Sequence, residues 1–357
     1  MAAATKYAER SIPRISLANH ANRIDEITTQ LVHAAETHGF FSLTNTEISI
    51  DEIEAIFRTS ESFFNLPDDV KATVPFTHKN VGWEKSPRSV RRQVSIANSA
   101  PASFLTRSVS EMVRVRTGTD CSPNEGFPDQ KESYQLQFGA NMADKWISPT
   151  HLPSFQTDAR AFMHKAQSLS EKLMLCFARG LPRHLPPGLP ELDRSAGPLP
   201  ETFCRAGAHA DWDLLTLLFQ RPGQSGLEIC PGREAVTNFG IGDTWTRIEF
   251  APGDIVCNIG DLLMSWSDDR FKSTFHRVKA PSEDGDYFGP RYSIAFFNQP
   301  CTDCEVQGPK GKYPKVTGAE FTKAAMERNF TALQAKKEEM SREACAAGTS
   351  AQVGVIS

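Results

Sequence analysis

The stretch between residues 213 and 275 divides into short apolar or alternating runs that are separated by turn residues. The runs cover residues 213–219, 226–229, 245–248, 254–259 and 271–275, and the turns contain Pro222-Gly223, Pro231-Gly232, Gly240, Gly242 and Pro252-Gly253. Short β-type runs with turns at regular intervals favour a sandwich or a barrel over a parallel α/β sheet. The sequence therefore predicts a mainly β core.

Helical periodicity lies outside this stretch. Apolar residues recur at helical spacing in 24–35, 51–65 and 159–179, and a Gly or Pro follows each segment closely. A short apolar strand is predicted at 40–43, and Thr317-Gly-Ala-Glu320 is typical of a capping box that starts a further helix. We expect these helices to flank the β core.

His209 and Asp211 are two residues apart, which on a strand places both side chains on the same face. His276 lies on a later β-type run and would reach the same point from a second strand. Two imidazoles and one carboxylate can hold ferrous iron on one face of its octahedron and leave the opposite positions open. The same donors also suit catalytic zinc, so the set alone leaves both metals open.

Arg291 and Ser293 repeat the two-residue spacing one run further along the chain. A planar guanidinium can bind a carboxylate through two hydrogen bonds, and a hydroxyl on the same strand face can donate a third. We expect this pair to hold an acidic co-substrate beside the metal. A zinc hydrolase does not need such an anchor, which favours iron.

These residues belong to longer motifs that resemble the iron(II)- and 2-oxoglutarate-dependent dioxygenases of the isopenicillin N synthase-like superfamily. Its fungal members, including thymine-hydroxylase-like enzymes and relatives from nicotinate breakdown, are especially similar. The resemblance covers about four-fifths of the chain. It is carried by the motifs at 207–211, 258–263, 272–278 and 290–297 and, nearer the N-terminus, by Ile12-Pro13, Gly39-Phe-Phe41 and Phe63-Phe64-Asn-Leu-Pro67.

The resemblance implies a double-stranded β-helix core, which is a cupin-like jelly roll, with an N-terminal helical cap. It further implies that His209, Asp211 and His276 bind Fe(II) and that Arg291 and Ser293 hold 2-oxoglutarate, with dioxygen as second co-substrate. Succinate and carbon dioxide would be released. The runs that similar enzymes use around the substrate pocket carry aromatic residues here, namely Trp212, Tyr134, Phe138 and Phe297.

The resemblance and the local sequence patterns together divide the chain into five regions. Residues 12–130 form the N-terminal cap region, with an irregular insertion at 86–126. The other predicted regions are a connecting strand and core-backing helix at 131–200, the jelly-roll domain at 201–300, a C-terminal helical segment at 301–345 and a disordered tail at 346–357. The Pro- and Gly-rich residues 181–200 depart from the family, which has a strand there that helps hold 2-oxoglutarate.

An aromatic pocket favours hydroxylation, or another oxidation, of a small ring-containing metabolite. Nicotinate-derived and other N-heterocycles are the most specific expectation, and a secondary-metabolite intermediate is the alternative. Because of the departure at 181–200, an impaired enzyme that only binds ligands also stays open, as does a zinc-dependent hydrolase.

Composition mainly excludes other classes of partner and site. A net charge of -4 over 357 residues gives no electrostatic footprint for nucleic acid. The eight cysteines form no zinc-type pair of pairs, and no run approaches the length of a membrane span. We expect a cytoplasmic monomer that acts on a small molecule.

Overall fold

The computed structural model describes residues 6–77, 79–85, 109–115, 131–181, 204–234, 244–279, 281 and 286–325. The helices are α1 Ile24–Thr37, α2 Ile50–Phe64, α3 Asp68–Lys71, α4 Phe155–Gly180 and α5 Asp261–Trp266. Residues 318–325 are also helical, and two 3-10 turns lie at His20–Asn22 and Ala140–Met142. The strands are β1 Lys6–Tyr7, β2 Arg14–Ser16, β3 Phe40–Thr44, β4 Gly82–Lys85, β5 Val109–Val115, β6 Lys131–Gln137, β7 Cys204–His209, β8 Leu215–Gln220, β9 Leu227–Glu234, β10 Thr244–Arg247, β11 Ile255–Ile259, β12 Thr274–Lys279, β13 Arg291–Asn298, β14 Glu305–Val306 and β15 Val316–Thr317.

The strands form two main sheets. The larger sheet has eight strands in the order β2-β3-β11-β8-β13-β5-β6-β4, and the smaller has five in the order β1-β10-β9-β12-β7. Most neighbours are antiparallel, while β2 runs parallel to β3 and β1 parallel to β10. β14 and β15 form a separate pair. The prediction of a mainly β fold with flanking helices is confirmed.

The larger sheet separates two environments, because successive side chains of a strand point to opposite faces. One face meets the helices: Leu217 of β8, Cys257 of β11 and Ile294 of β13 share a buried apolar cluster with residues of α1, α2 and α4. We call the opposite side the inner face. By alternation, the inner face carries Thr216, Leu218 and Gln220 of β8, Asn258 of β11, and Arg291, Ser293, Ala295 and Phe297 of β13.

The inner face lies toward the smaller sheet. Phe40 and Val256 project from it and pack with Leu227 and Ile229 of β9 in a second apolar cluster. The site residues predicted from the sequence therefore come from strands whose side chains meet between the two sheets.

Helices α1, α2 and α4 cover the other face of the larger sheet. The Phe162 ring of α4 meets the Phe219 ring of β8 at 4.9 Å, and Phe63 of α2 stacks on Tyr134 of β6 at 4.3 Å. The structure thus places α1 and α2 behind the larger sheet, and the predicted N-terminal cap over the substrate site is not confirmed.

Local sequence explains where these helices begin and end. The Ser49 hydroxyl accepts from the Glu52 amide and the Glu52 carboxylate accepts from the Ser49 amide, which is a capping box at the start of α2. α1 ends before Gly39, whose φ of +67° is left-handed and whose added Cβ would lie 2.2 Å from the Lys272 carbonyl oxygen. The predicted capping box at Thr317 and Glu320 is confirmed.

Two predictions need correction. β5 lies within the segment 86–126 that was predicted to be irregular, and it pairs with β13 and β6 along its whole length. The segment 301–345, predicted to be helical, also contains the strands β14 and β15. The remainder of 86–126, residues 182–203 and the tail 346–357 lie outside the described residues. Among the helices of the described ranges, none is both long and apolar enough to cross a bilayer.

Candidate active site

Three potential metal ligands converge at the end of the smaller sheet. His209 is the last residue of β7, and it stands directly opposite His276 of β12 in the antiparallel register. Asp211 follows two residues after His209, and its Oδ1 lies 3.6 Å from the Nε2 of each imidazole. Ligand atoms of the three residues all lie within 4.8 Å of one another, so one ion can bridge them.

Asp211 presents one oxygen to this cluster because its other oxygen is already held. The Thr216 hydroxyl donates to Asp211 Oδ2 at 2.5 Å, and the Asn258 amide donates to the same oxygen at 2.7 Å. Both donors belong to the inner face of the larger sheet. These two bonds fix the carboxylate with Oδ1 turned toward the imidazoles.

His276 is oriented by its own strand and by an aromatic neighbour. Its Nδ1 lies 3.3 Å from the Thr274 carbonyl oxygen. A carbonyl can only accept, so Nδ1 carries the proton and the lone pair of Nε2 faces the cluster. Phe40 packs edge-on against the ring at 5.4 Å. The His276 side chain is 10% exposed and that of His209 is 49% exposed, so the site opens to solvent on the His209 side.

The pKa values of this cluster favour metal binding. Burial opposes ionisation of Asp211, but His276, His209 and the hydrogen bonds from Thr216 and Asn258 hold its pKa below the ordinary value. Burial, together with the nearby His209, lowers the pKa of His276. A charged carboxylate and a neutral imidazole are the forms that bind a metal ion.

A second buried acid lies behind the cluster. Burial, and next the charge of Asp211, raises the pKa of Asp213 well above its ordinary value. Asp213 Oδ2 lies 3.1 Å from the Thr216 oxygen, whose single hydrogen is already donated to Asp211. A Cβ at Gly260 would lie 2.3 Å from Asp213 Oδ1, so this approach requires glycine. Asp213 and Gly260 thus pack the turn that sets Asp211 in place.

The predicted anion-binding pair lies further along the inner face. Arg291 and Ser293 are buried, and the Arg291 guanidinium donates through Nη1 to the Ser293 hydroxyl at 3.3 Å. Its Nη2 donates to Gln220 Oε1 at 2.8 Å. Gln224 accepts the Tyr292 backbone amide at 2.6 Å and so fixes β13 between the two predicted residues.

Strand register connects the two polar clusters. Thr216, which holds Asp211, stands opposite Phe297, and Gln220 stands opposite Ser293. Thr216 and Gln220 are four residues apart on β8, which corresponds to about 13 Å along a strand. Between them lies the apolar pair Leu218 and Ala295. The inner face therefore offers a cationic end, an apolar middle and a metal-binding end.

The predicted pocket aromatics divide into two groups. Phe297 is half-buried on the inner face, and Trp212 is half-buried directly after Asp211. Tyr134 is fully buried on the helix side of β6, stacked between Phe63 and Phe155 at 4.3 and 5.6 Å. Phe138 packs against His164 of α4 at 5.0 Å. The structure does not bring Tyr134 and Phe138 to the site, because Tyr134 of β6 and Phe138, which directly follows β6, both pack on the helix side of the larger sheet.

Sequence reasoning missed Thr216, Asn258 and Gln220. Each occupies the alternate position of a strand whose other side chains are apolar and buried, so a polar residue there had to face something polar. That alternation was a usable signal. Which group each residue faces depends on strand pairing, which cannot be read from the sequence.

Two family models match the chain. Residues 12–137 match the non-haem dioxygenase in morphine synthesis N-terminal model, and residues 175–300 match the 2OG-Fe(II) oxygenase superfamily model. The chain carries 2OG-Fe(II) oxygenase superfamily domains. It is an oxidoreductase of the dioxygenase class that uses Fe(II) and 2-oxoglutarate.

Similar proteins agree with this assignment. The 2-oxoglutarate-dependent dioxygenase frbA of Dothideomycetidae sp. is 25% identical over 84% of this chain and 90% of its own length. The solved structure of Neurospora crassa thymine-7-hydroxylase with alpha-KG has a TM-score of 0.64 at 24% identity, over 90% of this chain and 98% of that one. The same protein with alpha-KG and thymine gives 0.61 at 23% identity, over 87% and 94%. Solved neighbours of this type have a jelly-roll core, and the two-sheet arrangement here shares that fold.

The donor set of the structure fits this chemistry. Two imidazole nitrogens and one carboxylate oxygen are a facial set for non-haem iron, and the set is complete in this chain. The buried guanidinium of Arg291 lies on the inner face that also supplies the residues holding Asp211. A zinc hydrolase has no need of this buried cation, which favours iron. The impaired-enzyme alternative was based on residues 181–200, of which 182–200 lie outside the described residues.

Proposed function

We propose that His209, Asp211 and His276 hold the iron, that Arg291 and Ser293 hold the distal carboxylate of 2-oxoglutarate, and that the chain oxidises a small ring compound. The observation that carries the proposal is the approach of Asp211 Oδ1 to within 3.6 Å of both imidazoles. The inner-face register supports it, since β8 carries both Thr216, which holds Asp211, and Gln220, which bonds to the buried cation Arg291.

Each side chain has a defined task in this reaction. Bound iron supplies the activation of dioxygen that couples decarboxylation of 2-oxoglutarate, to succinate and carbon dioxide, with oxidation of the substrate. Thr216 and Asn258 restrict Asp211 to a single ligand oxygen, which keeps further metal positions open. Arg291 and Ser293 orient the diacid by binding its far end, and the apolar pair Leu218 and Ala295 excludes water from its middle.

The inner face also suggests what the substrate presents. Glu111 of β5 stands opposite Ala295, and Gln135 of β6 stands opposite Glu111, so both share the inner face with Phe297. Glu111 Oε1 and Gln135 Oε1 are buried and accept no hydrogen bond from the described residues, although Lys131 Nζ lies 3.7 Å from Glu111 Oε1. Two acceptor oxygens beside an aromatic ring suit a planar ring that carries N–H or O–H donors.

N-heterocycles with ring N–H groups meet this description, and the thymine bound by the Neurospora thymine-7-hydroxylase is one of them. Of the nicotinate-derived rings expected from the sequence, the hydroxylated ones that adopt the pyridone form carry such a ring N–H. We therefore propose N-heterocycle oxidation as the reaction of this chain.

Succinate release tests the substrate class. Purified protein is supplied with Fe(II), 2-oxoglutarate and either pyrimidines and hydroxypyridines or their N-methylated forms. We expect succinate formation to rise with the parent rings and to fall when the ring N–H is methylated, because the acceptors at Glu111 and Gln135 then lose their donor. Equal rates with both sets would contradict the substrate proposal.

Metal binding tests the ligand assignment separately. Under anaerobic conditions the His276→Ala variant should lose Fe(II) binding, since two remaining protein ligands form no facial set. His151→Ala changes an exposed histidine on the loop before α4 and should bind iron like the wild type. Iron binding by His276→Ala would remove His276 from the site.

A further inference from the structure

The side-chain amide nitrogen of Gln220 has no hydrogen-bond acceptor among the described residues. It is 5% exposed on the inner face, and its Oε1 accepts from Arg291 Nη2 at 2.8 Å. Arginine carries donors only, so this contact fixes the orientation of the Gln220 amide and turns its Nε2 away from the guanidinium. Among the described residues, nothing accepts a hydrogen bond from that Nε2.

The position of Gln220 indicates what that donor meets. Gln220 stands directly opposite Ser293, and the Arg291 guanidinium bonds to both of their side chains. An amide N–H, a hydroxyl and a guanidinium thus lie next to one another on the inner face. A buried donor beside a cation and a hydroxyl is satisfied best by an anionic acceptor with several oxygens.

We propose that Gln220 is a third residue for the distal carboxylate of 2-oxoglutarate: its Nε2 donates to the carboxylate, while its Oε1 holds Arg291 in the binding orientation. This inference rests on the proposed function of Arg291 and Ser293. It makes Gln220 a selector for keto acids that end in a second carboxylate.

The neutral amide is essential to this role. A glutamate at 220 would form an ion pair with Arg291, use up the cation and present negative charge to the incoming carboxylate. A methionine at 220 would preserve the length of the side chain but remove both the donor and the acceptor. The two changes therefore weaken the same ligand for different reasons.

The experiment measures equilibrium binding of two keto acids. Wild type, Gln220→Met and Gln220→Glu are loaded with Mn(II), which replaces Fe(II) without turnover, and are titrated calorimetrically with 2-oxoglutarate and with 2-oxovalerate. 2-Oxovalerate keeps the chelating keto-acid end and the five carbons but lacks the distal carboxylate. Mn(II) affinity is measured first in each variant and should stay within about twofold of the wild type, because Gln220 does not touch the metal ligands.

We expect Gln220→Met to weaken 2-oxoglutarate by about tenfold to a hundredfold, the range for losing a hydrogen bond to a charged group. Gln220→Glu should weaken it at least as strongly. Binding of 2-oxovalerate should change by less than about threefold in both variants. The discrimination between the two keto acids is the readout, and a merely structural role of Gln220 would not change it.

The outcomes distinguish failure of the Gln220 proposal from failure of the proposed function. If the variants bind 2-oxoglutarate like the wild type, or lose both keto acids equally, Gln220 does not recognise the distal carboxylate. If the wild type binds neither keto acid in the presence of metal, the proposed function itself is wrong. If Gln220→Met does not fold, Gln220→Glu has nearly the wild-type shape and gives the same comparison.

Discussion

Asn258 donates to Asp211 Oδ2 at 2.7 Å, across 47 residues of sequence. The bond connects the larger sheet to the metal-binding end of the smaller sheet. Together with Thr216, it leaves Asp211 Oδ1 as the oxygen that faces both histidines. Outer partners of this kind set the orientation of a metal ligand, and their loss typically lowers metal affinity by about tenfold to a hundredfold.

The first prediction concerns Asn258. Asn258→Leu should weaken Fe(II) binding by about tenfold or more, because Asp211 loses one of the two bonds that aim Oδ1. Asn298→Leu is a matched control: Asn298 is similarly buried, but its amide donates to Ser170 of α4. Anaerobic metal titration of both variants distinguishes them. Equal metal affinity in the two would mean that Asn258 serves only the fold.

Much of this architecture follows from the sequence. Helical periodicity with a Gly or Pro stop located α1, α2 and α4, and the turn-separated runs located β8, β10 and β11 to within a few residues. The start of β9 was also located, but the turn predicted at Pro231-Gly232 was wrong, because β9 continues through it to Glu234. The two-residue spacing of His209 and Asp211 placed both on one side of the chain, and the structure brings His276 to them. Local patterns sufficed there because periodicity and turn residues are local properties.

Other features depend on tertiary contacts. β5 was predicted to be irregular because the charged residues Glu111 and Arg114 interrupt its apolar residues. In the structure the charge of Arg114 is paired with Glu132 of β6 at 2.7 Å, a contact that only the fold creates. Tyr134 was predicted to line the pocket because it lies on a strand that similar enzymes use there. Which face of β6 carries Tyr134 is set by packing against α2 and α4. A one-position change of face reverses such an assignment.

The second prediction compares two adjacent residues of β13. Phe297 points to the inner face and Phe296 into the helix-side core. Phe297→Ala should reduce substrate-dependent succinate formation by at least about tenfold, because a ring substrate loses its stacking surface. Phe296→Ala should instead lower the free energy of unfolding by about 3 to 5 kcal/mol. Denaturant unfolding and succinate assays of both variants check this. If Phe297→Ala forms succinate at the wild-type rate in the presence of substrate, the substrate does not bind against Phe297.

The third prediction concerns a buried ion cluster far from the metal ligands. Glu132 is fully buried and accepts from Lys71 at 2.5 Å, Trp83 at 2.8 Å and Arg114 at 2.7 Å. Glu132→Gln should lower the free energy of unfolding by about 3 to 5 kcal/mol, because it leaves buried cations without their counter-charge.

A surface pair provides the comparison for Glu132. Lys172 and Glu47 are paired at the surface, and Lys172→Ala should cost less than about 1 kcal/mol. Urea denaturation measures both variants. A small effect of Glu132→Gln would show that solvent reaches the Glu132 cluster.

The fourth prediction separates charge from geometry at Arg291. Arg291→Lys keeps the positive charge, but an ammonium cannot bond to Ser293 and Gln220 in the fixed planar arrangement that the guanidinium uses. We expect 2-oxoglutarate to bind about tenfold to a hundredfold more weakly, with Mn(II) affinity unchanged.

Arg277→Lys is the matched control, since Arg277 is also buried and bonds to Glu228 at 2.8 Å within the smaller sheet. That variant should lose stability and keep its 2-oxoglutarate affinity, because the Arg277–Glu228 pair belongs to the sheet and not to the inner face. Calorimetric titration with 2-oxoglutarate decides the matter: equal weakening in both variants would attribute the effect to general loss of packing, whereas weakening confined to Arg291→Lys assigns the diacid to the guanidinium.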